Sequence, residues 1–395
     1  GFRLDGIAVG DSAGKSVSAA GDFNGDGFID IIIGANAADP NGANSGESYV
    51  VFGKASGFTA TIDLNALEGT DGFRIQGIDS GDISGQSVSA AGDLNADGFD
   101  DLIVGAPVAA PNGAASGEAY VVLGRAAAPA ATISLGALDG SNGFRMDGLN
   151  AQARTGESVS GAGDLNGDGF GDIIVGAFNG VGAAAYAGEA YVVFGSDRGQ
   201  VTAAGTTAAD SLAGTAAADI MVGGQGADTI AGGGGVDVLI GGEGDDILDV
   251  ADATFRRIDG GTGSDTLRIS GAAVTVDFTA SGSQGVSAIE LIDLTGAAAD
   301  LTLDKLSVQN LSDTSNTVNV TGIAGTTLTL SDTGWTLTAT GGGARTFENG
   351  EATVIVDDAI TLAVANNVPV AAADAFTGSE DLDITGDVLL DNGSG

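Results

Sequence analysis

One nine-residue pattern, Asp-x-Asn-x-Asp-Gly-Phe-x-Asp, constrains this chain more than any other feature, because it occurs three times at one spacing. The copies begin at Asp22, Asp93 and Asp164, and successive copies are 71 residues apart (93 − 22 = 71 and 164 − 93 = 71). Oxygen donors at positions 1, 3 and 5, a glycine at 6 and a carbonyl at 7 suit Ca²⁺, and position 9 adds a carboxylate. The pattern therefore predicts three calcium loops.

Each loop is expected to lead into a buried strand rather than into a helix. An EF-hand needs a glutamate at position 12, and that position is Ile33, Val104 or Val175 inside a short apolar run. Short β-branched runs closed by glycine are typical of buried strands. The alternative is an acidic turn that binds no metal, since Asp, Asn and Gly favour turns. Three copies in one register favour the metal loop.

The charge balance limits the partners of the chain. It has 53 Asp and Glu against 13 Lys and Arg, a net charge of −40, which argues against nucleic acid and membrane insertion. With no histidine, the chain has no His-dependent triad or His-ligated zinc site, and with no cysteine it has no disulfide. Most clustered carboxylates fall in the repeats, so we expect no enzyme activity. The charge predicts calcium ions as counter-charges; a soluble acidic surface without metal is the alternative.

The 71-residue unit extends beyond the loop. Gly1-Phe2-Arg3 recurs at Gly72 and Gly143, and Gly46-Glu47-Ser48-Tyr49 recurs at Gly117 and Gly188 as Gly-Glu-Ala-Tyr. Each unit offers about four short strands separated by glycine-rich turns, which is typical of a β-propeller blade. The repeated glutamate beside a tyrosine indicates a structural role, because an active site is usually unique.

These units resemble the FG-GAP repeats of the integrin α-subunit propeller. Phe52-Gly53 and Phe194-Gly195 match one half of that signature, and Gly105-Ala106-Pro107 matches the other. The family closes rings of seven blades, so three blades imply missing upstream blades, open stacking or a ring completed between chains, and we favour the first. The resemblance implies Ca²⁺ ligands at Asp22, Asn24, Asp26, Phe28 and Asp30, at Asp93, Asn95, Asp97, Phe99 and Asp101, and at Asp164, Asn166, Asp168, Phe170 and Asp172.

A second repeat, with a period of nine, begins near Gly205. Six residues of each copy read as a turn and three as a strand, and two copies make one coil, so loops on one edge recur every 18 residues. Asp210, Asp228 and Asp246 are then stacked on one edge, with Asp219 and Asp237 on the other. Stacked carboxylates repel each other unless a cation lies between them. A flexible glycine linker is the alternative, but it does not explain an aliphatic residue two positions after each Asp.

The nonapeptides resemble the RTX parallel β-roll. The resemblance implies about two to four further Ca²⁺ ions held by the Asp carboxylates and by loop carbonyls; whether Asp265 joins them is left open. The implied ligands are Asp210, Asp219, Gly224, Gly226, Asp228, Gly233, Gly235, Asp237, Gly242, Gly244 and Asp246.

The sequence thus predicts an all-β chain in four parts. They are three propeller blades forming an incomplete ring at 1–200, a parallel β-roll at 201–268, a β-rich cap at 269–366, and a linker into a cadherin-like or Ig-like domain at 367–395. The chain opens inside a repeat, so a piece of a longer protein is expected.

We expect an extracellular or bacterial cell-surface protein, exported by type I secretion, that serves adhesion or scaffolding with structural calcium. Its expected partners are protein or glycan surfaces, or further copies of itself. The alternatives are the non-catalytic portion of a large secreted hydrolase and a self-assembling surface-layer or filament subunit.

Overall fold

The computed structural model describes residues 1–127, 129–182, 186–279, 285–312 and 315–365. The all-β prediction is confirmed, since 44% of the structure is strand and 4% is helix. Within these ranges one α-helix occurs, α1 (Lys305–Leu311), and no helix is long and apolar enough to span a bilayer. The predicted start of a cadherin-like or Ig-like domain at 367–395 lies outside the described residues.

The first half of the chain forms blade-like antiparallel sheets. Two short 3₁₀ turns, Leu64–Ala66 and Leu135–Ala137, interrupt the connections. The strands are β1 (Arg3–Asp5), β2 (Ser16–Gly21), β3 (Asp30–Ala35), β4 (Glu47–Val51), β5 (Thr61–Asp63), β6 (Gly72–Gln76), β7 (Ser87–Gly92), β8 (Asp101–Ala106), β9 (Glu118–Val122), β10 (Thr132–Ser134), β11 (Gly143–Asp147), β12 (Thr155–Gly163), β13 (Asp172–Ala177) and β14 (Glu189–Val193).

The blades are offset from the sequence repeat, which corrects the prediction that one unit makes one blade. Blade 1 is β2, β3, β4 and β6, and blade 2 is β7, β8, β9 and β11. The Gly-Phe-Arg segment at the start of each unit therefore becomes the fourth strand of the preceding blade. Its antiparallel pairing explains the offset, because Tyr49 lies opposite Arg74 and Tyr120 opposite Arg145. Blade 3 consists of β12, β13 and β14.

Neighbouring blades are joined by short strands and by apolar packing. In the long connection before the fourth strand, β5 pairs in parallel with β1, and β10 with β6. Between blades 1 and 2, Ile32 and Val50 from one face share a buried cluster with Val88, Val104 and Tyr120 from the next. A second cluster joins blades 2 and 3 in the same way. Over the part of the chain that the structure describes, the blades do not close into a ring.

The second half is mainly a parallel coil, apart from an antiparallel pairing of Thr336–Gly341 with Ala344–Asn349 and of the latter with Ala352–Asp357. In the nonapeptide region its two-sided turn-and-strand pattern follows the repeat, with one strand per copy. The strands are β15 (Ala203–Ala204), β16 (Ser211–Ala213), β17 (Ile220–Gln225), β18 (Thr229–Gly233), β19 (Val238–Glu243), β20 (Ile247–Val250), β21 (Arg257–Thr262), β22 (Thr266–Ile269), β23 (Thr275–Asp277), β24 (Val286–Ser287), β25 (Leu291–Leu294), β26 (Asp300–Leu303), β27 (Thr317–Gly322), β28 (Thr327–Leu330), β29 (Thr336–Gly341), β30 (Ala344–Asn349), β31 (Ala352–Asp357) and β32 (Thr361–Val364).

Two nonapeptides make one turn of the coil, as the 18-residue spacing predicts. Ile220 pairs with Val238 in one sheet, and Thr229 pairs with Ile247 in the other. The residues predicted to form a ladder, Ile230, Leu239 and Leu248, are fully buried in one continuous core. Strand alternation places these side chains inward and the side chains next to them in the strand on the outer face of the coil.

The parallel coil continues past the nonapeptides. β22 pairs with β25, which pairs with β27 and then β31, so one sheet runs across residue 268. A third parallel sheet, β23-β26-β28-β32, is added beyond that point. Trp335 is buried in the same cluster as Leu239. Residues 201–268 and 269–365 therefore share a sheet and a core.

The coil packs against the acidic loops of blades 2 and 3. Val222, Val238 and Ile240 form a small buried cluster with Ala96, and Phe170 packs against it. The loop-bearing end of these blades is therefore covered by the coil.

We expect Leu239→Ala to destabilise the coil by about 2–5 kcal/mol, because it removes a fully buried side chain from a ladder that cannot close the gap. Denaturant unfolding followed by circular dichroism would measure the loss. Leu337→Ala is the matched control, since Leu337 is 50% exposed on β29 and its truncation should cost less than about 1 kcal/mol. Equal losses in the two variants would contradict the buried ladder.

Candidate calcium sites

The first carboxylate of each acidic loop organises the backbone around it. Asp22 accepts hydrogen bonds from the amides of Asp26 (3.0 Å) and Gly27 (2.8 Å). Asp93 repeats these bonds at 3.0 and 2.8 Å, and Asp164 accepts from the corresponding amides at 3.2 and 2.7 Å. The three loops thus share one conformation, in which the chain wraps the carboxylate at position 1.

Positions 3 and 5 are linked to each other. The side-chain amide of Asn24 donates to Asp26 at 3.0 Å, that of Asn95 to Asp97 at 3.0 Å, and that of Asn166 to Asp168 at 2.8 Å. Each of these aspartates also accepts from the amide at position 7, which belongs to Phe28, Phe99 or Phe170, at 3.0, 3.1 and 3.1 Å. The predicted ligands at positions 1, 3, 5 and 7 therefore lie within one tight loop.

The carboxylate at position 9 joins the loop to the end of the third strand of the blade. Asp30 is fully buried and accepts from the amides of Phe23 (3.1 Å) and Gly53 (2.8 Å). Asp101 and Asp172 make the equivalent pair of bonds. Burial raises the pKa of Asp30 to about 8. The glycine whose amide donates to this carboxylate, Gly53, Gly124 or Gly195, is a site residue that sequence reasoning did not assign, although its repetition signalled a role.

Some oxygen atoms in the loops are suited to binding a hard cation. Loop oxygens of Asp, Asn and backbone carbonyls are the ligands that Ca²⁺ takes, and Asn95 Oδ1 is buried without a hydrogen-bond partner. In the arrangement seen, most carboxylate oxygens instead accept loop amides. Over the described ranges, no three acidic side chains lie close enough together to form a metal cluster by themselves. Asparagine and carbonyl oxygens would therefore have to contribute, as positions 3 and 7 provide.

The aspartates of the coil form the predicted stacks. On one edge, Asp228 Oδ1 accepts the amide of Asp210 at 2.7 Å, and Asp246 Oδ1 accepts that of Asp228 at 2.7 Å. Asp265 extends this stack, accepting the amide of Asp246 at 2.8 Å. On the other edge, Asp237 accepts the amide of Asp219 at 3.0 Å. In each pair, one carboxylate oxygen thus accepts a hydrogen bond from the backbone of the preceding turn of the coil.

In three of these aspartates the second carboxylate oxygen has no hydrogen-bond partner. Oδ2 of Asp228, Asp246 and Asp265 is buried with no hydrogen-bond partner, and each residue is 1% exposed. A buried carboxylate oxygen without a partner is costly. Burial raises the pKa of Asp246 to about 6 and that of Asp265 to about 7. These atoms fit Ca²⁺, which would replace the missing partner and neutralise the stack.

The predicted turn glycines are required by the backbone. Gly244 has φ +136°, and a Cβ there would lie 2.1 Å from the carbonyl oxygen of Gly226. Close stacking of turn on turn therefore excludes a side chain and places turn carbonyls beside the aspartates. All six glycines predicted to bind Ca²⁺ through their carbonyls have a positive φ. They are Gly224, Gly226, Gly233, Gly235, Gly242 and Gly244.

Two arginines that sequence analysis did not single out lie against the second acidic loop. Arg257 Nη1 is 3.3 Å from Asp100 Oδ1 and 3.7 Å from Asp93 Oδ2, while Nη2 is 2.9 Å from Asp259. Arg256 lies 4.7 Å from the centre of the Phe99 ring. The coil therefore supplies positive charge to a carboxylate of a propeller loop. Nothing in the repeat pattern signals this contact, since both arginines fall in an interruption of the nonapeptides.

The raised pKa values predict a pH dependence of the metal-free chain. Asp30, Asp246 and Asp265 have folded pKa values of about 8, 6 and 7, against an ordinary value of 3.8. Their contribution to stability is therefore fully present below about pH 4 and is lost as the pH rises through about 6 to 8. We expect the melting temperature in EDTA to fall by roughly 5–10 °C between about pH 5 and pH 8.5. A melting temperature that rises over this range would contradict the assignment.

Asp246→Ala should reduce the stabilisation that Ca²⁺ provides, because Oδ2 of Asp246 is a proposed ligand. The loss of one site corresponds to roughly 1–3 kcal/mol at calcium concentrations well above Kd. Thermal unfolding with and without Ca²⁺ measures it. Asp71→Ala makes the same charge change at a side chain that is 71% exposed, and its calcium response should match the unmodified chain. Identical calcium responses in the two variants would remove Asp246 from the ligand set.

Comparisons with known families agree with the two repeats. The FG-GAP repeat matches residues 13–51, 84–122 and 155–193. The RTX calcium-binding nonapeptide repeat matches residues 204–239 and 213–248. The RTX match supports calcium binding by the coil.

The first half of the chain is also similar to integrin α-subunits. Integrin alpha-4 of Xenopus laevis is 29% identical over 180 residues, which are 45% of this chain and 15% of that protein. Integrin alpha-IIb of Mus musculus is 30% identical over 203 residues, 48% of this chain and 17% of that protein. The chain thus spans less than a fifth of the length of these relatives. It carries three FG-GAP repeats followed by RTX calcium-binding nonapeptide repeats.

Proposed function

We propose that this chain is a calcium-stabilised extracellular adhesion or scaffolding module. The observation that carries the proposal is a stack of three buried aspartates, Asp228, Asp246 and Asp265, each with one oxygen on a neighbouring amide and one without a partner. With pKa values of about 6 and 7, Asp246 and Asp265 lose protons as the pH approaches neutrality, and a bound cation would then neutralise the stack. Calcium is therefore part of the folded state rather than of a reaction.

The proposed sites follow the two repeats. Each acidic loop of the blades holds one ion through positions 1, 3, 5, 7 and 9, and the coil holds about two to four ions between neighbouring turns. In the loops the position 9 carboxylate also remains bonded to two amides, so it joins the ion to the blade. In the coil Asp265 belongs with Asp210, Asp228 and Asp246, because it continues the same ladder of hydrogen bonds.

The contact surface for a partner is proposed on the side of the blades away from the acidic loops. The loops join the first and second strands of each blade, and the coil covers them in blades 2 and 3. The turns between the second and third strands emerge at the opposite edge. There, a cavity of about 450 Å³ lies between blade 2 and the connection that leads into it from blade 1, lined by polar groups including Asp82, Glu118 and Arg145. A protein or glycan surface is the proposed partner.

Export by type I secretion is proposed from the resemblance of the coil to RTX repeats, and calcium-coupled folding supports it. Extracellular calcium sites typically bind at roughly 10⁻⁴–10⁻³ M, far above the calcium of a cytosol. The chain would remain unfolded inside the cell, where its carboxylates repel each other, and fold outside as the ions bind. The repeat families, rather than a membrane segment, support an extracellular location.

The proposal predicts a calcium-specific folding transition. Circular dichroism during a thermal melt should show strand signal and melting temperature rising with millimolar Ca²⁺ at neutral pH, while equimolar Mg²⁺ has little effect because it demands a smaller octahedral site. A strand signal and melting temperature that do not change with Ca²⁺ would contradict the proposal. The adhesive part is tested separately by calcium-dependent binding of the folded chain to protein and glycan arrays; binding that is unchanged in EDTA would contradict it.

A further inference from the structure

The carboxylate stack on one edge of the coil does not end with the nonapeptides. Asp265 Oδ1 accepts the amide of Asp246, and Glu290 Oε2 in turn accepts the amide of Asp265 at 2.9 Å. The backbone makes the same step, since the amide of Leu291 donates to the carbonyl of Asp265 at 3.0 Å. One turn earlier, the amide of Thr266 donates to the carbonyl of Asp246 at 2.8 Å. Glu290 therefore occupies the place of a further aspartate in the stack.

The chain returns to this stack although the repeat length is lost. Asp228 and Asp246 are 18 residues apart, and Asp246 and Asp265 are 19 apart. Asp265 and Glu290 are 25 apart, and the longer connection between them contains β23, the first strand of the third sheet. Glu290 lies well beyond residue 248, where the match to the RTX nonapeptide ends. Its place in the stack is therefore a property of the fold and not of the repeat.

Asp265 has one carboxylate oxygen that the protein does not satisfy. Its Oδ1 is used by the amide of Asp246, whereas its Oδ2 is buried with no hydrogen-bond partner, and the residue is 1% exposed. Leaving a buried carboxylate oxygen without a partner costs free energy. A cation beside Oδ2 would remove this cost.

The space beside this oxygen is built in the same way in two successive turns. A methyl group placed on Gly260 would overlap both Asp265 Oδ2 and the carbonyl oxygen of Ala288. In the preceding turn, a methyl group on Gly241 would overlap both Asp246 Oδ2 and the carbonyl oxygen of Gly260. Each glycine thus keeps open a space in which a carboxylate oxygen meets a carbonyl oxygen of the next turn.

The cap supplies the turn that closes this space. Ser287 of β24 pairs with Asp259, so the following residue, Ala288, lies over Gly260. Ala288 is 5% exposed and has a φ of +53°, a left-handed conformation that is unfavourable for a residue with a side chain. The segment 286–291 therefore takes the place of a nonapeptide turn without having its sequence.

The opposite edge of the coil is different. There, Asp237 accepts the amide of Asp219, but the next turn carries Arg256, whose amide donates to the carbonyl of Asp237 at 2.7 Å. The Arg256 side chain lies over the ring of Phe99 in blade 2. Among the described turns, the carboxylate stack therefore continues into the cap on the edge of Asp265 and ends at Asp237 on the other edge.

We propose that Asp265, Glu290 and the carbonyl of Ala288 form a further Ca²⁺ site between the last nonapeptide and the cap. Carboxylate and carbonyl oxygens are the ligands that Ca²⁺ takes, and water or other turn carbonyls complete a sphere of about six to eight. The ion gives Asp265 Oδ2 its missing partner and neutralises two stacked carboxylates. The site rests on the proposed binding of Ca²⁺ by the coil, and it adds that the cap contributes ligands, so that calcium joins the two.

The first test counts the ions bound to the 395-residue chain by equilibrium dialysis at about 1 mM Ca²⁺. Glu290→Gln keeps an oxygen that can accept the amide of Asp265 but loses the charge, so we expect it to bind one ion fewer. Glu348→Gln removes the same charge from an exposed side chain of β30 and should bind the full number. Equal counts in the two variants, with the other ions still bound, would overturn this site and leave the proposed function standing. An unmodified chain that binds no Ca²⁺ would overturn both.

The second test asks whether Asp265 and Glu290 bind the same ion. The rise in melting temperature that Ca²⁺ produces is measured for Asp265→Asn, for Glu290→Gln and for the double variant. For a shared ion, Glu290→Gln reduces this rise in the unmodified chain but causes no further reduction in Asp265→Asn. Reductions that add in the double variant would overturn the shared site.

Melting in EDTA separates a lost ion from lost structure. Both substitutions keep an oxygen acceptor and remove a charge from the stack, so neither variant should melt below the unmodified chain when no metal is bound. A melting temperature that falls as far in EDTA as in Ca²⁺ would show that Glu290 serves the fold alone, and it would overturn the site.

Discussion

The carboxylate oxygen that is buried without a partner is the constraint on which the rest of this structure depends. In the coil, Asp228, Asp246 and Asp265 each give one oxygen to the amide of the preceding turn and keep the other without a partner. In the blades, the aspartate at position 1 accepts hydrogen bonds from the loop amides around it, and the aspartate at position 9 joins the loop to the third strand. With 53 acidic and 13 basic residues, the chain cannot neutralise these groups by ion pairs. The proposed divalent cation at the turns would remove this repulsion and allow the strands to pack.

The two acidic repeats are not independent modules joined by a linker. The coil packs against the loops of blades 2 and 3 through Val222, Val238 and Ile240, and Arg257 reaches the carboxylates of Asp93 and Asp100. Because burial raises the pKa of Asp93 to about 7 even with Arg257 beside it, charge at this contact remains incompletely balanced. If the loop binds metal as proposed, metal binding and docking of the coil would act on the same carboxylate, so that ordering one half would favour ordering the other.

Repetition made much of this predictable. A period of 71 located the loops and their strands, and a period of nine located the coil, its 18-residue register and the buried ladder through Leu239. A repeat length does not show where within the repeat a blade begins, however. Gly-Phe-Arg begins each repeat in sequence but completes the previous blade in space, because its hydrogen-bond partner is the strand before it. Features that occur once, such as Arg256 and Arg257, leave no periodic signal at all.

The sequence by itself determined the strand content, the acidic turns and the glycines that let one turn stack on the next, because these depend on local geometry and spacing. Only the tertiary structure decided which edge of each sheet is covered. Leu165, Ile174, Val192 and Phe194 have the same residue character as their buried equivalents in blades 1 and 2, yet they are exposed. Burial depends on what lies across the face, and no residue in a strand specifies whether its neighbour is present.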